Sequence, residues 1–192
     1  MVADALRADG HPIGAVYLTR DQIAERIVEL GAAIAAEYAE REPLLVAPLK
    51  SSTVFLVDLS RALPIPHTID VIELAPYAAG RAGGAVRLLK DLDAPIAGRD
   101  VLVVADVVDT GLTLGFLSRT LALRSPASVA AVALLDRPYR RLVDDVALGH
   151  IGFTVPDELF AGYGLGLDER WRSLPDLHLV LAEQLPVAID AA

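Results

Sequence analysis

The sequence predicts an α/β fold: a single domain built on a mostly parallel sheet flanked on both faces by helices. A chain of 192 residues suits one domain. Hydrophobic residues make up 54% and aromatics only 5%, so the apolar content is aliphatic, as strands buried on both faces require. Short apolar runs alternate with segments of helical period. At 101–134 they fall in the order strand, helix, strand, the pattern of a right-handed βαβ unit.

Residues 1–15 are small and polar and read as an N-terminal tail ahead of a domain spanning 16–192, with 16–18 a short edge strand. Thr19 and Gln22 have the spacing of a capping box. Ile23, Ile27, Leu30 and Ile34 follow at helical spacing, so a helix should run to residue 39. Residues 44–47 (LLVA) read as a buried strand, and Pro48, Leu49, Lys50, Ser51 and Ser52 turn out of it. A helix over 53–63 is stopped by Pro64 and Pro66. Residues 68–74 alternate as a strand. The stretch 75–85 (APYAAGRAGGA) has no period, and a loop of that kind in a compact domain is functional or mobile. Strands are expected at 86–89, 101–104, 128–134, 150–154 and 177–182, with a helix over 112–124 and irregular chain over 155–175. Residues 151–192 are expected to form a small hood.

Composition excludes several classes. With no cysteine there are no disulfides, thiolate metal sites or cysteine nucleophiles, which fits a cytoplasmic location. A formal net charge of −9 argues against nucleic acid as a partner. No apolar run approaches the roughly 20 residues of a membrane span. The first residues lack the basic and apolar regions of a secretory signal. His11, His67, His150 and His178 are scattered without ligand spacing.

The informative stretch is 101–113, VLVVADVVDTGLT. A buried strand delivers Asp109, Thr110 and Gly111 to a tight turn, and a helix opens with Leu112 and Thr113. In open α/β sheets ligands bind at the carboxyl ends of strands. Gly111 permits positive φ and close approach to the backbone, and the helix N-terminus favours an anion. Taken alone, such a turn is commonly structural, and a helix-capping Asp109 would look the same. Asp-Thr-Gly also occurs in aspartic proteases, but their frame is all-β. A receiver domain carries its acidic residues after an N-terminal strand, whereas this strand is central. Neither G-x-G-x-x-G nor G-x-x-x-x-G-K-[ST] is present, so a dinucleotide fold or a P-loop has no support.

The turn resembles the phosphoribosyl pyrophosphate (PRPP) loop of type I phosphoribosyltransferases. The segments LLVAPLK at 44–50, GAVRLLKDLD at 84–93, LLDRP at 134–138 and IGFTVPDELFAGYGL at 151–165 narrow the resemblance to the hypoxanthine-guanine branch. It implies transfer of 5-phosphoribosyl from PRPP to N9 of a 6-oxopurine, with Mg²⁺, in a cytoplasmic homodimer or homotetramer. On that resemblance Thr110, Gly111, Leu112 and Thr113 hold the 5′-phosphate and Asp109 faces purine N7 as general acid/base. Asp106 engages the ribose hydroxyls directly or through Mg²⁺. Leu49, Lys50 and Ser51 match the pyrophosphate loop, where the family has a cis peptide, and Arg172 matches a pyrophosphate arginine. Arg137, Leu159 and Phe160 fall at the purine-binding positions, and Tyr77 falls in the loop that closes over the site. Lys90 and Asp91, after that loop, are expected to be structural.

The chain departs from the family pattern at several of these positions. Ala105 stands where the family has Glu, Arg137 where it has the purine-reading lysine, and Leu159 where it has the stacking aromatic, with Phe160 beside it. Gly166 replaces a metal-binding Asp, Ser51 a glycine, and Pro76 the serine before the loop tyrosine. Two functions are therefore compatible with the sequence: an active purine phosphoribosyltransferase, or a nucleotide- or PRPP-binding regulatory homologue that has lost turnover.

Overall fold

The computed structural model describes residues 11–74, 88–143 and 146–181. In chain order the elements are β1 (Ile13–Leu18), α1 (Arg20–Glu37), β2 (Leu44–Pro48), α2 (Thr53–Ala62), β3 (Thr68–Leu74), β4 (Leu88–Lys90) and β5 (Asp100–Val108). There follow α3 (Leu112–Ala122), β6 (Ser128–Asp136), a 3₁₀ turn (Pro138–Arg140), β7 (Leu148–Thr154), β8 (Phe160–Ala161) and β9 (Leu177–Val180). Residues 1–10 of the expected tail, the loop 75–85 with Pro76 and Tyr77, and the end of the hood from 182 lie outside the described residues.

Six strands form the main sheet in the order β4-β3-β2-β5-β6-β7, and all neighbours are parallel except the edge pair β3–β4. Alternation along each central strand divides the core in two. Leu45, Ala47, Leu102, Val104, Val132 and Leu134 face α1 and α2, whose stripes of Ile23, Ile27, Leu30, Ile34, Phe55, Leu56 and Leu59 cover them. Leu44, Val46, Val101, Val103, Ala131 and Ala133 face Leu114, Leu117 and Leu121 of α3. Burying each large aliphatic stabilises the fold by about 1.5–3 kcal/mol. The capping box at the start of α1 is formed: the Gln22 N–H donates to Thr19 Oγ1 at 3.3 Å and the Thr19 N–H to Gln22 Oε1 at 2.9 Å.

The hood differs from the expected 151–192. Residues up to Thr154 belong to β7 of the main sheet, and the second sheet is antiparallel, in the order β1-β9-β8. Its outer strand comes from the N-terminal side. β1 starts at Ile13, inside the expected tail, because Ile13 is buried and pairs with Val180. A partner so distant in sequence leaves no local signal.

The Lys90–Asp91 pair secures the edge of the main sheet. Lys90 Nζ lies 2.9 Å from the Val71 carbonyl, 3.0 Å from Asp93 and 3.3 Å from Asp70, while Arg124 holds both oxygens of Asp91 at 2.7 and 3.0 Å. The Arg124 bond is the main reason the Asp91 carboxyl is held below its ordinary value of 3.8. Burial opposes ionisation of Asp70, but the N–H groups of Asp93 and Val71, with Lys90, outweigh it and also lower its pKa. Groups depressed on folding contribute stability above their unfolded pKa, and the contribution is lost as pH falls through 3.8 toward the lower folded value. Asp91→Asn is therefore expected to cost about 1 kcal/mol or less at neutral pH in urea denaturation, shrinking below about pH 4. A difference that stays constant down to about pH 3 contradicts this assignment.

Candidate active site

The site is assembled where parallel register brings the carboxyl ends of β5, β6 and β7 together. Val108 lies opposite Asp136, and Asp136 opposite Thr154. The next residues, Asp109 and Arg137, are therefore neighbours, with the Arg137 N–H donating to the Val108 carbonyl at 2.9 Å.

At the end of β5 the chain turns through Asp109, Thr110 and Gly111. Gly111 is the N-cap of α3 with φ 79° and ψ −5°, and no side chain caps the helix. A Cβ at Gly111 would lie 2.8 Å from Val143 and 3.1 Å from Arg141, so glycine is required by both conformation and space. The Thr110 hydroxyl accepts weakly from the Leu112 N–H at 3.3 Å, and the Leu142 N–H donates to the Thr110 carbonyl at 2.9 Å. Leu112 and Thr113 are exposed on the first turn. An uncapped helix start in a glycine turn offers N–H groups and a positive dipole end, which suits an anion. Asp109 does not act as a side-chain cap. Its Oδ2 lies 3.7 Å from Arg137 and 4.0 Å from Arg140, and its buried Oδ1 has no hydrogen-bond partner among the described residues.

Asp106 is tied to the turn after β2. The fully buried Ser52 donates its hydroxyl to Asp106 Oδ1 at 2.9 Å and accepts from the Asp106 N–H at 3.1 Å. In the same turn the Leu49–Lys50 peptide is cis. Lys50 reaches out to Glu169 at 2.9 Å, and Arg172 donates to the other oxygen of Glu169 at 3.2 Å and to the Gly164 carbonyl at 3.0 Å. Lys50 first, then Arg172, holds the Glu169 carboxyl below its usual range. The two cationic residues matched to pyrophosphate binding, Lys50 and Arg172, thus share one carboxylate. Ser51 is part of this packing, since its carbonyl lies 2.3 Å from where a Cβ on Gly164 would be.

On the purine side Arg137 is buried, with Nη2 donating to Asp157 at 2.8 Å; Arg140 Nε donates to the same oxygen. Arg141 pairs with Asp136. Phe160 belongs to the core cluster: it is 8% exposed, and its ring packs on Tyr17 with centroids 4.9 Å apart. Leu159, just ahead of β8 and 38% exposed, is the one of the pair with surface to offer. Ser52, Arg140, Asp157 and Glu169 were not singled out by the sequence. Only their contacts to Asp106, Asp109, Arg137 and Lys50 mark them.

Among the described residues no group of three His, Asp or Glu side chains could hold a metal ion. Ala105 is buried in the apolar cluster beneath α3. Gly166 lies against the Arg172 guanidinium, whose Cζ is 2.6 Å from where a Cβ would be, so a cation covers the position at which the resemblance places a metal carboxylate. A cleft of about 650 Å³ opens between α1, α2 and the hood, lined by residues including Val28, Val54 and Tyr163, and shares Arg172 with the site. It contains none of residues 106–113.

Comparison with known proteins bears on the family and the fold. Residues 17–158 match the phosphoribosyl transferase domain family. The chain is 43% identical over 169 residues to a hypoxanthine-guanine phosphoribosyltransferase of Mycobacterium tuberculosis, covering 84% of this chain and 83% of that one. It is 41% identical over 163 residues to the hypoxanthine phosphoribosyltransferase of Salmonella typhimurium, covering 83% and 91%. A crystal structure of a hypoxanthine-guanine phosphoribosyltransferase from Bacillus anthracis superposes with a TM-score of 0.82 at 37% identity, covering 88% of this chain and 98% of that one. With sheet order, βα turn and relatives in agreement, the chain belongs to the phosphoribosyltransferase family, in its hypoxanthine-guanine branch.

Proposed function

We propose that this chain is a purine-salvage phosphoribosyltransferase, transferring 5-phosphoribosyl from PRPP to N9 of hypoxanthine or guanine and releasing pyrophosphate. The observation that carries this reading is the uncapped helix start at Gly111, placed at the carboxyl end of β5 with Asp109 and Arg137 beside it. The relatives named for this activity, at 43% and 41% identity, support it.

In this reading the N–H groups of Gly111, Leu112 and Thr113, with the Thr110 and Thr113 hydroxyls, hold the 5′-phosphate. Asp106, held in place by Ser52, accepts from the ribose hydroxyls. Lys50 and Arg172 neutralise the leaving pyrophosphate, which takes over the place of Glu169 between them. Asp109 accepts or returns the proton at purine N7, its unpartnered Oδ1 being the free acceptor. Arg137 donates to the 6-oxo group, and Leu159 supplies an apolar surface for the base in place of a stacking ring. Holding donor and base in line contributes through alignment, worth up to about 7–11 kcal/mol of the barrier in well-oriented systems.

Phosphoribosyltransferases generally use Mg²⁺, which screens the charge of the donor's pyrophosphate. A metal ion carried by that pyrophosphate does not need a set of three protein carboxylates, which the described residues do not form. No helix among the described residues is long and apolar enough to cross a membrane. The reading carries with it a cytoplasmic location and a homodimer or homotetramer, the latter read by light scattering of the purified chain. The experiment that tests the function is a steady-state assay with PRPP, Mg²⁺ and hypoxanthine, guanine or xanthine. Inosine or guanosine monophosphate together with pyrophosphate is the expected outcome. Nucleotide binding without product would contradict turnover and leave the regulatory reading.

A further inference from the structure

The Arg137 side chain is only 8% exposed, so its guanidinium needs fixed anionic partners. Two carboxylates are near it. Asp157, in the segment between β7 and β8, accepts from Nη2 at 2.8 Å, whereas Asp109 stands off at 3.7 Å, beyond a hydrogen bond. Arg140 is shared in the same way: its Nε donates to Asp157 Oδ1, and its Nη1 lies 4.0 Å from Asp109. Both arginines therefore bond Asp157 and leave Asp109 unbonded, although Asp109 is the carboxylate flanked by the phosphate turn. Arg137 Nε and Asp109 Oδ1 remain, a buried donor and a buried acceptor, each without a partner among the described residues.

We propose that Asp157 is the positioning residue for base discrimination. By holding Arg137 and Arg140 it keeps Asp109 open to the purine and leaves Arg137 with donors for a carbonyl at C6. A guanidinium has five N–H donors and no acceptor, so it complements a 6-oxo group and opposes a 6-amino group. Without Asp157 the nearest carboxylate for Arg137 is Asp109. Arg137 then moves onto it, and the site loses its 6-oxo donor and its free acceptor together. This inference rests on the proposed purine transfer.

The test is calorimetric binding of inosine, guanosine and adenosine monophosphates to the full chain, which reads discrimination whether or not turnover occurs. Asp157→Ala is expected to weaken inosine and guanosine monophosphate binding about tenfold, the loss of one charge-assisted contact, and to change adenosine monophosphate binding less than about twofold. Asp157→Glu is expected to restore most of the preference. If the alanine variant fails to fold, Asp157→Asn reads the same ratio with the side-chain size kept. An unchanged 6-oxo to 6-amino ratio, whether all affinities fall or none, overturns the inference while leaving the purine-transfer reading intact. A wild-type chain that binds none of the three nucleotides overturns that reading itself.

Discussion

Replacing Asp109 by Asn is expected to lower kcat for nucleotide formation by about 10²–10⁴, with a much smaller change in the KM for the base. The substitution keeps size and hydrogen-bonding capacity but removes the group that exchanges a proton with N7. It also separates the two roles open to an aspartate at a helix start, because Asn caps helices as well as Asp does. The structure favours the chemical role: the N-cap of α3 is Gly111, no side chain caps the helix, and Asp109 Oδ1 is buried without a partner among the described residues. Steady-state rates for the variant, with its melting temperature as a folding control, decide the matter. Turnover equal to wild type would make Asp109 a structural residue.

The second large effect is expected at Gly164, where the hood meets the turn after β2. Its φ is +93°, and a Cβ there would lie 2.3 Å from the Ser51 carbonyl oxygen. Gly164→Ala therefore combines an unfavourable backbone conformation with a clash against main chain that cannot rotate away. Each contributes about 1–3 kcal/mol, so a loss of about 2–6 kcal/mol is expected in urea denaturation. The strain falls on Ser51, next to Lys50 and Ser52, so the KM for PRPP should rise as well. A variant within about 0.5 kcal/mol of wild type, with unaltered KM, would show that the hood and the pyrophosphate turn are not packed as described.

Much of this architecture is legible in the sequence because it is written in short-range signals. The runs LLVA at 44–47 and VLVV at 101–104 are apolar at every position because both faces of the sheet are covered, and the structure assigns alternate residues to the two halves of the core. The Thr19–Gln22 capping box and the βα turn at 109–113 are each contained within five residues and were found where expected. The hood was only partly legible. Ile13 and Gly14 look like tail, and only pairing with β9 makes Ile13 part of a strand. The partners of the site residues were not legible at all. Ser52 reaches Asp106 across 54 positions, Glu169 reaches Lys50 across 119, and Asp157 reaches Arg137 across 20. Phe160 carried the right chemistry for stacking, but it is buried in the core with its ring against Tyr17.

The most direct measurement is a backbone amide NMR titration of the chain with guanosine monophosphate. The account predicts saturable shifts concentrated on the amides of Thr110, Gly111, Leu112 and Thr113, reproduced in part by ribose 5-phosphate and absent with guanosine alone. Shifts centred instead on the cleft lined by Val28, Val54 and Tyr163, with the 110–113 amides unmoved at saturation, would contradict it.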